Sequence, residues 1–84
     1  MTAPAGLRRI GEPRAVPVVA GPGGRPARVD GREVDAVRES WLVEDRWWTG
    51  RPLRRRYFEC VLKDGRNVVV FHDLIRRRWF QQRA

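Results

Sequence analysis

Residues 53–73 read LRRRYFECVLKDGRNVVVFHD, and the fold turns on how this stretch is paired. Two apolar, β-prone runs flank Asp64-Gly65. Asp-Gly between such runs is among the strongest short-range hairpin signals, because both central positions of a type I′ turn need φ > 0. A type I turn with a G1 bulge fits the same residues. Taken as a two-residue turn, Asp64-Gly65 sets Lys63 opposite Arg66, Val61 opposite Val68, Phe58 opposite Phe71 and Arg55 opposite Leu74. One face of the hairpin then carries Phe58, Cys60, Leu62, Val69 and Phe71, and is the better core. The other carries Tyr57, Val61, Val68 and Val70, with Glu59 and His72 among them. A one-residue bulge would exchange these faces.

Working outward, a second Asp-Gly pair at Asp30-Gly31 marks another hairpin. The expected strands are Ala15–Ala20, Pro26–Val29, Arg32–Val43 with a bend near Arg38–Ser40, Leu53–Lys63, Arg66–Asp73 and Arg78–Gln82. Gly21-Pro22-Gly23-Gly24 links the first two and belongs inside neither helix nor strand. No segment sustains a 3.6-residue period, although a short helical turn near Asp45–Thr49 is compatible with the sequence. The expectation is an all-β domain over residues 14–84, preceded by a flexible arm over residues 1–13. Its small antiparallel sheet has five to six strands, is built on two Asp-Gly hairpins, and rolls into a partly closed barrel to cover its own face.

The chain has 84 residues, enough for one domain that buries roughly 60% of its unfolded surface. Cys60 is the only cysteine and His72 the only histidine, so neither an internal disulfide nor a Cys/His metal cluster is available. Cys60 reads as a small core residue of a reducing compartment. The four Trp are the expected compensation for the missing staples. No run approaches a membrane span, and Pro17 interrupts the apolar stretch Val16–Ala20, so the expectation is a cytoplasmic protein with no membrane partner.

The charge is segregated. Residues 46–84 hold ten Arg and one Lys against three acids, Glu59, Asp64 and Asp73, which is the whole of the net charge of +8. Residues 1–45 hold seven Arg and seven acids and cancel. Arg in place of Lys, with abundant Ala, Gly and Pro, is what a GC-rich genome produces. That bias does not explain why the excess sits in one half. Aromatic rings are interleaved with this charge, a pattern that points to a polyanion.

The two-residue hairpin also has a spatial consequence. Arg54, Arg55 and Arg56 start one strand, and Arg76, Arg77 and Arg78 follow the end of its partner. Arg46, Trp47, Trp48 and Arg51 immediately precede the first triad. All ten are candidate nucleic-acid-binding residues converging on the end away from Asp64-Gly65. Arg forks match phosphate oxygens, and exposed rings stack on bases. Trp47 and Trp48 are more often core or core-lid residues, and arginines on strands also serve as solvated edge protection. His72, expected across from Tyr57, reads as structural, and Asp73 is expected to pair with Arg56. No paired carboxylates, nucleophile motif, phosphate loop or metal spacing is present. The reading is therefore not an enzyme, with no catalytic residue, cofactor or metal.

The runs Trp41–Trp48 (WLVEDRWW), Arg51-Pro52, Arg54–Phe58 (RRRYF), Asp64-Gly65-Arg66, Val69–Leu74 (VVFHDL) and Arg78–Phe80 (RWF) resemble a small all-β domain of unknown function. That domain is found at the C-terminus of ImuB-type proteins and also as short stand-alone proteins. ImuB-type proteins are catalytically inactive relatives of Y-family DNA polymerases. They act in a damage-inducible mutagenesis complex with a RecA-like partner and an error-prone DnaE-type polymerase. The family pattern favours Gly just before the final Arg-Trp, where this chain has Arg77. The resemblance implies a DNA-repair context and no polymerase activity. Three functions are compatible with the residues: an accessory module of DNA damage tolerance that binds single-stranded or damaged DNA, an adaptor docking a polymerase or RecA-like mutasome partner, and an RNA-binding module.

Overall fold

The computed structural model of the chain describes residues 13–45 and 52–82. The expected N-terminal arm, apart from Pro13, lies outside the described residues. So do Arg46, Trp47, Trp48 and Arg51, and with them the helical turn considered beyond Asp45.

Among the described residues there are seven strands: β1 (Arg14–Ala15), β2 (Val18–Ala20), β3 (Pro26–Val29), β4 (Arg32–Asp45), β5 (Leu53–Leu62), β6 (Asn67–Asp73) and β7 (Arg78–Gln82). A 3₁₀ turn, Pro22–Gly24, sits between β2 and β3. All pairings are antiparallel, in the order β1-β7-β6-β5-β4-β3-β2, and the sheet curls into a half-barrel. The all-β class is as expected. The strand count exceeds five to six because the expected strand Ala15–Ala20 is broken at Val16-Pro17. Pro17 has no N–H to give a ladder. The Val16 amide still donates to the Trp79 carbonyl at 3.2 Å, while the Pro17 carbonyl accepts from Asp30 N–H at 2.8 Å. One short segment therefore serves β7 on one side and β3 on the other, and the two edges of the curled sheet are two residues apart in the chain.

The two Asp-Gly turns differ. Asp30 (φ 53°) and Gly31 (φ 81°) both take the left-handed region, and Val29 pairs with Arg32, as a two-residue type I′ turn requires. At the second turn only Gly65 does so, with φ 94°. Gly65 N–H donates to the Leu62 carbonyl at 2.9 Å, and Leu62 N–H to the Arg66 carbonyl at 2.8 Å. The loop thus holds three residues, Lys63-Asp64-Gly65. The Asp64 carboxylate accepts the Arg66 amide at 3.0 Å, an Asx turn. Lys63 N–H is engaged by the Glu33 carbonyl of β4 at 2.9 Å, so it does not face Arg66.

The β5–β6 register is therefore one residue away from the two-residue expectation. Val61 pairs with Asn67 and not Val68, Phe58 with Val70 and not Phe71, and Arg55 with Asp73 and not Leu74. On β6 the faces exchange: Val68, Val70 and His72 join Phe58, Cys60 and Leu62, while Val69 and Phe71 go to the side of Tyr57 and Val61. The inner face of the curl is the core. Val16, Val29, Phe58, Cys60, Leu62 and Val70 are buried there, with Val18, Val34, Val37, Val68 and Trp79 packed against them. Register shifts in β4 between Val34 and Ala36 and between Val37 and Glu39 insert Asp35 and Arg38 as extra residues. Such bulges bend and twist a strand, and the second, at Arg38, falls at the start of the expected Arg38–Ser40 bend.

Cys60 is fully buried, and burial pushes its thiol up to about 11 against the opposing charge of Arg25. The thiol is then protonated at neutral pH and sterically shielded. Alkylation of the native protein at pH 8 should be slow and should accelerate to the free-thiol rate only as denaturant unfolds the domain; a fast native reaction would contradict this core. Phe58→Ala should cost about 3–5 kcal/mol in a urea titration, a large part of the stability of a domain this small.

Candidate nucleic-acid interface

The half-barrel has two chemically different ends. Both Asp-Gly turns lie at one of them, shown by the 3.6 Å contact of Arg32 Nε with the Asp64 carboxylate. Cations there have acid partners: Arg14 with Asp30 at 3.6 Å, Arg66 with Asp64 at 3.3 Å, and Lys63 with Asp35 at 3.7 Å. At the opposite end the β6–β7 turn meets the start of β5, where Leu74 N–H donates to the Arg54 carbonyl at 2.8 Å. The two arginine triads do arrive at this one end.

Strand alternation then distributes them. Arg54 and Arg56 point to the inner side, and Arg55 to the outer. Arg54 Nε is 2.9 Å from the Glu44 carboxylate. Arg76 lies 4.0 Å from Asp73. Arg55, Arg56, Arg77 and Arg78 have no ion pair among the described residues. The excess positive charge of the molecule is thus exposed at one end and largely satisfied at the other.

Asp73 organises the turn that presents the second triad. It is 5% exposed. Its Oδ1 accepts the amides of Ile75 and Arg76, each at 3.0 Å, and its carbonyl accepts Arg77 N–H at 2.7 Å. The expected pairing with Arg56 does not form, because the shifted register makes Arg55 its cross-strand neighbour. Arg77 has φ 62°, in the left-handed region. A side chain there meets its own backbone, and glycine does not.

The register also assembles something that strand-by-strand reading missed. On the outer face Trp41, Tyr57, Phe71 and Phe80 stand opposite one another on β4, β5, β6 and β7. Centroid separations along the row are 5.4, 4.9 and 5.3 Å. Each such contact contributes about 0.5–1.5 kcal/mol beyond its buried area. The Arg55 guanidinium lies 4.5 Å from the Phe71 centroid and donates to the Tyr57 hydroxyl at 3.3 Å. Arg78 lies 5.5 Å from Phe80. Cations over ring faces are held without a carboxylate. The row starts at Trp41, which is 38% exposed. No local pattern announces it, since each strand contributes a single ring.

On the inner side, the same end opens into a cavity of about 550 Å³. Arg25, Ser40, Arg56, Phe58, His72 and Leu74 line it, together with the glycines of the 3₁₀ turn. His72 stands opposite Arg56 and not Tyr57, and stacks on Trp79 at 4.5 Å with planes 6° apart.

No protein-family model, curated protein or solved structure matches the chain. Arg77 offers a direct test of the turn geometry. Arg77→Gly removes a charge and relieves the left-handed backbone, so the unfolding free energy should stay unchanged or rise by up to about 1 kcal/mol, read from the denaturation midpoint. Arg77→Val, which a left-handed position tolerates poorly, should lower it.

Proposed function

We propose that this domain is a non-enzymatic accessory module that binds nucleic acid through its arginine-rich end, in the service of DNA damage tolerance. The observation that carries the reading is the separation of paired from unpaired charge. Acids answer Arg14, Arg32, Lys63 and Arg66 beside the Asp-Gly turns, whereas at the other end Arg54 and Arg76 have acid partners and the exposed Arg56, Arg77 and Arg78 meet none among the described residues. Undirected basic composition would leave both ends alike. An end of one sign concentrates the potential and raises the local concentration of a polyanion. The exposed ring of Trp41 favours single-stranded or damaged DNA over intact duplex, because unstacked bases offer faces to stack. The repair context comes from the resemblance to the C-terminal domain of ImuB-type proteins. The reading requires no cofactor and no metal.

A second reading is favoured by β4. Its pairing with β3 covers only Arg32 and Glu33, so Ala36–Asp45 has β5 on one side and no strand on the other among the described residues. Trp41 and Leu42 are exposed on that stretch. An open edge carrying large apolar side chains suits strand addition by a protein partner, such as a polymerase or RecA-like component of a mutasome.

Fluorescence anisotropy with single- and double-stranded oligonucleotides separates the two readings. With about 4–6 phosphates contacted, log K should fall against log salt with a slope of about −4 to −5 on duplex. The pair Arg77→Gly and Arg78→Gln should flatten that slope by about 2 without altering sequence preference. Arg28→Gln with Arg32→Gln, at the opposite end, should change it much less. Binding that is absent at low salt, or indifferent to salt, would leave the adaptor reading ahead.

A further inference from the structure

We infer that the cavity at the arginine-rich mouth of the half-barrel receives the terminal nucleotide of a strand, with its phosphate monoester between Arg25 and Arg56. This rests on the nucleic-acid reading and names the part of the polymer that the site takes. At about 550 Å³ the cavity falls within the roughly 300–1,000 Å³ of small-ligand sites. Its lining divides as such sites do. Phe58 and Leu74 are apolar and suit a base. Arg25, Arg56 and Ser40 supply donors. No acid is among the described lining residues.

The two guanidinium groups come from different elements. Arg25 follows the 3₁₀ turn and Arg56 lies on β5, across from His72. Neither forms an ion pair among the described residues. The charge of Arg25 is felt at Cys60 on the inner face, where it opposes the effect of burial on the thiol. Its positive end therefore acts toward the interior of the curl. Two unanswered cations match the charge of about −1.5 to −2 on a phosphate monoester at neutral pH better than the single charge of an internal diester. Arg forks also match phosphate oxygens bidentately. His72, backed by Trp79, fixes the wall next to Arg56 and places an indole where occupancy changes its surroundings.

The test compares single strands of one sequence carrying a 5′-phosphate, a 3′-phosphate or only hydroxyl ends, by competition anisotropy and tryptophan fluorescence at fixed salt. The expected result is binding about tenfold tighter for a phosphorylated strand, the order of one charge-assisted hydrogen bond. Gain at either end supports the cavity, and the end that gains names the polarity. Arg25→Gln should abolish the preference while leaving the hydroxyl strand within about threefold of its original affinity, whereas Arg56→Gln, which also removes a charge from the nucleic-acid interface, should abolish the preference and weaken all three strands. Persistent protection of Cys60 from alkylation shows that each variant is folded. If all three strands bind equally and with salt dependence, the cavity proposal is overturned and the nucleic-acid reading stands. If none binds, both fall.

Discussion

The Glu33 carbonyl of β4 holds the Lys63 amide, and the Asp64 carboxylate holds the Arg66 amide. Between them these two bonds give the second hairpin a third loop residue, and the placement of β6 and β7 side chains depends on it. Because side chains alternate with a period of two, one residue of slip exchanges every side chain of β6 between faces. With the shorter loop, Val70 would leave the core, Phe71 would leave the outer row, and His72 would leave the cavity wall. The core, the ring ladder and the cavity are thus three consequences of one register.

That register also settles how a chain with no disulfide holds a small fold. Among the described residues the inner face is built mainly of Val with Phe58, Cys60 and Leu62, and contains no Trp that is fully buried. The large rings are placed instead along the outer face, where Trp41, Tyr57, Phe71 and Phe80 tie four strands together sideways. Phe71 is buried under this arrangement although it lies outside the inner core. Arg55 closes over it, so one of the arginines that looks free in sequence is packed on a ring. Its Nε is buried without a hydrogen-bond partner, and the ring face and the Tyr57 hydroxyl are what meet its charge.

Much of this was legible residue by residue. The strand boundaries follow from β-prone runs and punctuation, the Asp30-Gly31 turn from its two left-handed positions, and the burial of Cys60 from its apolar neighbours. The meeting of Arg54–Arg56 with Arg76–Arg78 survives the register error, because a slip of one residue moves strand ends by only about 3.4 Å. What was not legible depends on contacts between strands distant in sequence. Asp-Gly is compatible with a two- or a three-residue loop, and the Glu33 carbonyl that participates in the choice lies thirty residues away from Lys63. The ring row and the cavity draw one or two residues from each of several elements, so no window of sequence contains them.

Gly21-Pro22-Gly23-Gly24, read as a mere connection, has a larger part once the sheet curls. Gly23 and Gly24 both have positive φ, 73° and 77°, and the backbone reversal they allow brings the chain back at Arg25 beside Ser40 and Arg56. Side chains at Gly23 and Gly24 would meet no neighbour, but the positive φ would strain them. The same end therefore combines a tight backbone reversal, a left-handed Arg77 and arginines of which only Arg54 and Arg76 have acid partners among the described residues. The last two work against stability: left-handed arginine costs backbone energy, and clustered like charges repel. Binding of an anionic ligand, as proposed above, would offset the repulsion among these charges.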